Sequence, residues 1–415
     1  MNFRAPEGTH DVLPEEAARW RRLEDAARSC FDRFGYEEVR TPIFEYTSLF
    51  HKSSGETTDI VEKEMFTFGD PEDASGTYSL RPELTPGVIR ALVETNLFAK
   101  RSAWKLWYLG PAFRKERPQK GRFRQFTQLG VEAVGSADPL VDAETMILLS
   151  EILDAVGVAS KLRINSIGCG ECRGGYREVL KAAVRPLLPT LCANCNKRID
   201  RNVFRILDCK VDAEKTQNLP AAIDHTCEKC KAHMKAVEGA LRDAKVEYRV
   251  DPRIVRGLDY YTRTVYEFSS SALGAQNAIA GGGRYDTLVR DMGGPDVGSV
   301  GFAAGAERIL LAMKEGAAAR AMDFFGVAVD ESLRGRVFSM VTELRRAGLS
   351  GDMDFEGRSV KAQMRSANRS GARYALFIGP AEAAQNQVKL KDMKEGVERL
   401  VSLDEAKAAL KGGTT

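Results

Sequence analysis

The sequence of 415 residues has no apolar run long enough to span a bilayer, and Met1 to His10 lack the basic-then-apolar order of a secretory signal. Membrane roles are thereby set aside, and a cytoplasmic location is expected. Net charge is scarce as well: 61 Lys and Arg against 58 Asp and Glu leave +3, too little to identify a nucleic-acid partner without local clusters. Cysteine is nearly absent outside one window. Of eight cysteines only Cys30 lies outside Cys169 to Cys230, which in a reducing compartment favours metal or free thiols over disulfides. What is present is ordinary for a globular chain, 43% hydrophobic and 29% charged. At this length a large domain plus one or two smaller ones is expected.

Apolar and small residues recur at helical spacing from Pro14 to Gly35, followed by a strand over Glu37 to Arg40 that runs into Thr41-Pro42. Short strands with one helix, Thr85 to Phe98, fill Thr77 to Gly135, and a helix over Pro139 to Val156 closes the block. No regular βαβ alternation appears, so the class is α+β. Residues 169–247 are cysteine-rich, basic and helical in period, and read as an insertion between a first part (1–168) and a second part (248–313) of one catalytic domain. A linker is expected over 314–322, and alternating strand and helix signals over 323–415 predict a small α/β domain.

The segment from Phe113 to Phe126 packs six cations around Pro118 and Gly121 between two strand-like stretches. Arginine grips phosphate bidentately, so the loop suits anionic oxygens; a solvated hairpin is the plain alternative. In Arg81-Pro82-Glu83-Leu84-Thr85 a carboxylate at a strand-to-helix corner can receive an ammonium, or Thr85 with Pro86 simply caps a helix. Arg256-Gly257-Leu258-Asp259-Tyr260-Tyr261 reads as a junction into a strand, with Asp259 and Tyr261 on one face if the strand includes them, or as an amphipathic edge. Gly281-Gly282-Gly283-Arg284-Tyr285-Asp286 reads as a glycine-rich turn admitting a ligand. Small residues before Arg308 predict a helix from Phe302 to Met313, packed tightly and aiming that arginine at a phosphate.

In this order, these segments resemble the motifs of the class II aminoacyl-tRNA synthetases. Thr41-Pro42-Ile43-Phe44-Glu45 resembles motif 1, Phe113 to Glu116 with Gln125 to Gly130 motif 2, and Gly301 to Arg308 motif 3. Arg256 to Tyr261 and Gly282 to Asp286 are similar to the two signatures of the histidyl-tRNA synthetases, and the resemblance extends to both ends of the chain. It implies a class II catalytic domain, an antiparallel sheet flanked by helices, with a helical cysteine-rich insertion and a C-terminal α/β anticodon-binding domain. It also implies a homodimer, and a ligase that activates histidine with ATP and magnesium and passes it to the 3′ end of a histidine tRNA.

By the same resemblance Arg114 and Arg256 are catalytic, flanking the α-phosphate. Arg114, Glu116, Arg122 and Arg308 bind ATP, while Glu83, Thr85, Gln128, Glu132, Tyr260, Tyr261 and Tyr285 bind histidine, with Glu132 and Tyr261 on its imidazole. Arg117, Gln119 and Arg124 contact the tRNA, and Arg358, Lys361, Arg365 and Arg369 could meet phosphates of the anticodon arm or form a solvated helix face. A regulatory paralogue without catalysis, a class II synthetase for another amino acid, and a zinc-dependent RNA-binding module are the rivals. Three Cys-x2-Cys pairs, Cys169/Cys172, Cys192/Cys195 and Cys227/Cys230, with Cys209 and His233 in the same window, have the spacing of structural zinc ligands, or are reduced buried thiols.

Overall fold

The computed structural model describes residues 3–54, 58, 60–69, 76–274, 277–314 and 321–412. Two compact units divide the chain, Met1–Gly316 and Ala317–Thr415. Most of the linker expected over 314–322 lies outside the described residues.

The first unit is built on an eight-stranded sheet. Its strands are β1 (Glu37–Glu38), β2 (Trp104–Phe113), β3 (Gln125–Val134), β4 (Lys161–Ser166), β5 (Tyr248–Val250), β6 (Thr262–Ser269), β7 (Ala278–Arg284) and β8 (Ser299–Gly305). They lie in the order β1-β2-β3-β8-β7-β6-β4-β5, antiparallel except for the edge pairs β1/β2 and β4/β5. The two ten-residue strands β2 and β3 pair along their whole length, and the cationic loop joins them at the second and third places from the β1 edge of the sheet. Helices α1 (Pro14–Phe34) and α3 (Pro139–Ala155) bury Trp20, Leu23, Phe31, Leu149 and Ile152 with Val131 and Phe302 of the sheet. α2 (Thr85–Glu94) packs Val88, Ile89 and Leu92 with Val265 and the tyrosines Tyr108, Tyr260, Tyr261 and Tyr285 in a second core. The expected α+β class is thus what the chain adopts.

Four local expectations are corrected. β1 stops at Glu38, two residues short of the expected Arg40, although the Val39 amide still donates to the Trp107 carbonyl (2.9 Å); beyond it the carbonyls of Thr41 and Pro42 accept from the Arg81 guanidinium (2.8 and 3.1 Å). Residues 256–261 are not strand: β6 begins at Thr262, and Arg173 donates to the carbonyls of Asp259 and Tyr261. The glycines 281–283 are not a turn but the middle of β7, paired on both sides. The helix expected from Phe302 starts only at α7 (Ala306–Ala312), after those small residues have formed β8. Small residues in the centre of a sheet leave room for a neighbour's side chain, and here that room is occupied.

Within the same unit the insertion is helical, with α4 (Gly170–Val184), α5 (Ala193–Arg201) and α6 (Glu228–Asp243). α4 and α5 share a small core of Tyr176, Leu180, Val184, Cys195 and Ile199, whereas α6 adds Met234, Val237 and Leu241 to the main one. The second unit carries a five-stranded mixed sheet with Phe324–Ala328 at its parallel part and helices Arg334–Arg346, Val360–Arg369 and Leu403–Gly412. On Val360–Arg369, Gln363 and Ala367 are buried while Lys361, Arg365 and Arg369 are exposed; Arg358 is held by Asp354.

Candidate active site

One cavity of about 320 Å³ opens on the face of the sheet and gathers residues from β3, β6, β7, β8, the starts of α2 and α7, and the loops before and between them. Two chemically different groups line it.

The first group is anionic and hydroxylic. Glu132 points from β3 into the cavity and is 1% exposed. Its Oε1 accepts from the hydroxyls of Thr85 (2.6 Å) and Tyr108 (3.1 Å), and its Oε2 accepts from Tyr285. Burial pushes this carboxyl up to about 7; the three hydroxyl donors oppose the rise, and the charge of Glu83 adds to it. Tyr260 donates to Glu83 at 3.1 Å, and Gln128 accepts from the Leu84 amide at 3.1 Å. Burial also raises the hydroxyl pKa of Tyr108, Tyr260 and Tyr285 well above the ordinary value, so each stays a donor. Gly301 faces Glu132 across the β3/β8 pairing, and a Cβ there would strike its Oε2. Helix capping by Thr85 is not the arrangement: α2 has no side-chain cap, and the hydroxyl goes to Glu132 instead.

The second group is cationic. Arg114, Arg122, Arg256 and Arg308 all line the cavity. Arg114 donates to the Pro82 carbonyl at 2.9 Å and lies against the Phe126 ring; Glu116 sits 3.9 Å from Arg114 and 3.1 Å from Arg122. Arg256 pairs with Glu267 at 3.6 Å. Arg308, on the first turn of α7, donates to the carbonyls of Gly121 (3.0 Å) and Ala278 (2.6 Å), tying the β2–β3 loop to the sheet. Burial lowers the pKa of Arg308 and the charge of Arg122 lowers it further, while Glu116 and Glu267 oppose the shift. Gly281 carries the clearest local rule: a Cβ on it would overlap the Arg256 guanidinium, so only glycine lets that arginine cross the sheet face.

Every residue expected to bind ATP or histidine therefore lines this one cavity. The residues expected to meet tRNA do not. Arg117 and Gln119 are exposed on the outer part of the β2–β3 loop. Arg124 is drawn to the N-terminal segment, where its amide and guanidinium donate to the carbonyls of Gly8 (2.7 Å) and Glu7 (3.3 Å). Sequence reasoning missed Tyr108, which reads as a core aromatic on an alternating strand, and Glu267, which reads as an outward strand carboxylate. It also missed a buried network. Arg284 donates to Asp142, to Asp286 (3.1 Å) and to the carbonyls of Ser136 (2.8 Å) and Asp138 (3.1 Å), and His233 of α6 lies 3.1 Å from Asp142. Burial opposes the charge on Asp142, yet His233 and Arg284 hold its pKa below the ordinary value. His233 is thus bound to Asp142 rather than grouped with the cysteines.

Those cysteines form two groups among the described residues, one local in the chain and the other closing around it. Cys169 and Cys172 meet Cys227 and Cys230, and Cys192 and Cys195 meet Cys209 and Asp212.

An antiparallel sheet bearing this cavity, with one arginine at the base of a long hairpin loop and another on the helix after β8, defines the catalytic domain of a class II aminoacyl-tRNA synthetase. Family comparison narrows the class. The Histidyl-tRNA synthetase family model matches residues 8–169 and 172–309, and the Anticodon binding domain model matches 323–412. Histidine–tRNA ligases of Anaeromyxobacter dehalogenans and Halothermothrix orenii are 45% and 44% identical, over 99% and 95% of this chain and 100% and 96% of theirs. The crystal structure of apo S. aureus histidyl-tRNA synthetase superposes with a TM-score of 0.84 at 33% identity, covering 99% of this chain and 100% of that one. The chain belongs to the histidyl-tRNA synthetase family.

Proposed function

We infer that the cavity holds ATP and histidine side by side and joins them, and that the chain ligates histidine to the 3′ end of histidine tRNA. The observation that carries this reading is a buried carboxylate held by three hydroxyls in the same cavity as four arginines. A carboxylate oxygen of histidine attacks the α-phosphorus of ATP, the bond to the bridging oxygen breaks, and pyrophosphate leaves. A hydroxyl of the terminal ribose of tRNA then attacks the carbonyl carbon of the adenylate, and AMP leaves.

Negative charge builds at phosphorus in the first step. Arg114 and Arg256 flank the α-phosphate, Arg308 takes the γ-phosphate, Arg122 the pyrophosphate side and Glu116 the adenine. Two fixed guanidiniums around one phosphorus suit a pentavalent transition state better than the ground state. Magnesium travels with the ATP as part of the substrate, held chiefly by its phosphate oxygens.

Glu83, Thr85 and Gln128 form the ammonium-binding set, and Glu132 with Tyr261 reads the imidazole, Tyr260 and Tyr285 orienting the two carboxylates. Another amino acid would leave these buried groups unpaired, which gives discrimination without a second, editing site. Arg117, Gln119 and Arg124 serve the acceptor end of the tRNA, Arg124 being released from Glu7 and Gly8 when it does so. Residues 1–168 and 248–313 act as the catalytic domain, 169–247 as the insertion and 323–415 as the anticodon-binding domain. There Lys361, Arg365 and Arg369 supply phosphate contacts that weaken with salt. The chain works as a cytoplasmic homodimer. Ile43, Phe44, Tyr46 and Phe68, exposed beside Pro42, form the apolar face that a second copy covers. No helix among the described residues is long and apolar enough to cross a membrane. Structural zinc in the insertion completes the cofactor set.

The test is Glu132→Ala. Histidine affinity is expected to fall by two orders of magnitude or more, of the size seen when a buried polar recognition group loses its partner, while ATP affinity stays within about threefold. An unchanged Michaelis constant for histidine would remove Glu132 from the pocket.

A further inference from the structure

The insertion's cysteines are arranged as ligands are, and twice over. In each foursome, one ligand atom per residue lies within 4.8 Å of all the others. Three Cys-x2-Cys pairs share one local build: Cys169, Cys192 and Cys227 are the residues immediately before α4, α5 and α6, and Cys172, Cys195 and Cys230 follow in the first turn. The fourth pair, Cys209 and Asp212, keeps the same spacing with a carboxylate in the last place.

Distances separate metal from disulfide. Cys169 and Cys172 have their Sγ atoms 3.6 Å apart, Cys172 and Cys230 3.9 Å, and Cys192 and Cys209 3.9 Å. A disulfide needs about 2.05 Å. Four thiolates about 2.3 Å from a central zinc stand about 3.8 Å from one another. Backbone amides already serve the ligand atoms: Cys227 N–H donates to Cys172 Sγ at 3.1 Å, and Cys192 N–H to Asp212 Oδ2 at 2.9 Å. Asp212 is 1% exposed and its Oδ1 makes no hydrogen bond, only a 3.5 Å ion pair with the half-exposed Lys215 ammonium, which leaves the buried oxygen room for a metal ion as a closer partner.

We propose that the insertion holds two separate structural zinc ions, one on Cys169, Cys172, Cys227 and Cys230, the other on Cys192, Cys195, Cys209 and Asp212, and that together they position the loop 256–261. The first site joins the start of α4 to the start of α6, the two ends of the insertion. Arg173, next to Cys172, donates to the carbonyls of Asp259 (3.4 Å) and Tyr261 (2.9 Å). The second site braces α5, just beyond which Asn202 donates to Asp259 Oδ1 at 2.7 Å. Both ions thus stand behind the loop that carries Arg256, Tyr260 and Tyr261. The inference deepens the zinc reading above and does not depend on which amino acid the enzyme takes.

Full-length protein purified without chelator, or reconstituted with zinc chloride and desalted, is expected to contain two zinc ions per chain by elemental mass spectrometry. Cys230→Ser and Cys209→Ser should each leave one. In either variant the Michaelis constant for histidine should rise several-fold and adenylate formation should slow, since the loop carries Arg256, while the Michaelis constant for ATP changes less than twofold because Arg114, Arg122 and Arg308 hold its phosphates from outside the loop, a split that general loosening of the fold would not produce. Cobalt(II) titration of the wild-type chain keeps the test open if a variant fails to fold, with thiolate-to-cobalt absorption saturating at two equivalents. One equivalent or none in the reconstituted wild type overturns the two-site assignment. Loss of zinc with both Michaelis constants unchanged overturns the positioning role.

Discussion

At the scale of single residues, the site works by keeping polar groups where water cannot reach them. Glu132 illustrates the consequence, because a carboxyl that ionises near 7 in the fold ionises near its ordinary 4.5 in the unfolded chain. The folded state therefore holds the proton to higher pH, and the charged group opposes folding progressively as pH rises from about 4.5, fully above about 7. The difference corresponds to roughly 3 kcal/mol at pH 8, taking about 1.4 kcal/mol per unit. Glu132→Gln removes that penalty. We expect the unliganded variant to melt a few degrees higher than the wild type at pH 8, with the gain vanishing near pH 5, while histidine binding is lost. Calorimetric melting at the two pH values checks this, and an equal shift at both would assign it to packing instead. Residue identity and the family resemblance together pointed to side chains that the fold brings to one cavity. Tyr108 was not legible, because its hydroxyl matters only through a cross-strand contact with Glu132 that alternation cannot report.

At the scale of elements, the period of a strand was easy to read where side chains were large and hard where they were absent. The long hairpin β2–β3 and helices α1 to α3 follow their apolar patterns closely. β7 and the start of β8 do not, because a strand whose inner face is glycine and alanine looks like a turn or a helix until its neighbour is known. That neighbour is a side chain of the cavity. In β7, Gly281 yields its side-chain volume to Arg256, and in β8, Gly301 yields its own to Glu132. Gly281→Ala should consequently leave the sheet intact, since the overlapping atoms are the end of a flexible side chain, but push Arg256 off the α-phosphate. Adenylate formation is expected to slow by roughly 100-fold, the size of losing one preorganised donor, with the melting temperature nearly unchanged. Single-turnover kinetics alongside a melt would show it; a large loss of stability with a normal rate would mean the glycine serves packing alone. The segment 256–261 is the junction into β6, but what holds it left no trace in the sequence: Arg173 donates to its backbone carbonyls and Asn202 to the Asp259 side chain, both residues of the insertion far away in the chain.

At the scale of the whole molecule, the catalytic unit is assembled from both sides of the insertion. β3, from before it, pairs with β8, from after it, and Glu132 and Tyr285 meet only through that closure. His233 of α6 reaches Asp142 of α3, which in turn holds Arg284 of β7, so the insertion is bonded to the sheet it interrupts. Sequence order alone could suggest the three-part arrangement but not these bonds, which have long separations and no periodic trace. The central claim is that this assembled cavity activates histidine and nothing else. Pyrophosphate exchange into ATP, run on the wild-type chain with each amino acid in turn, tests it most directly. Exchange that depends on histidine alone is the predicted result; exchange supported comparably by another amino acid, or by none, would contradict it.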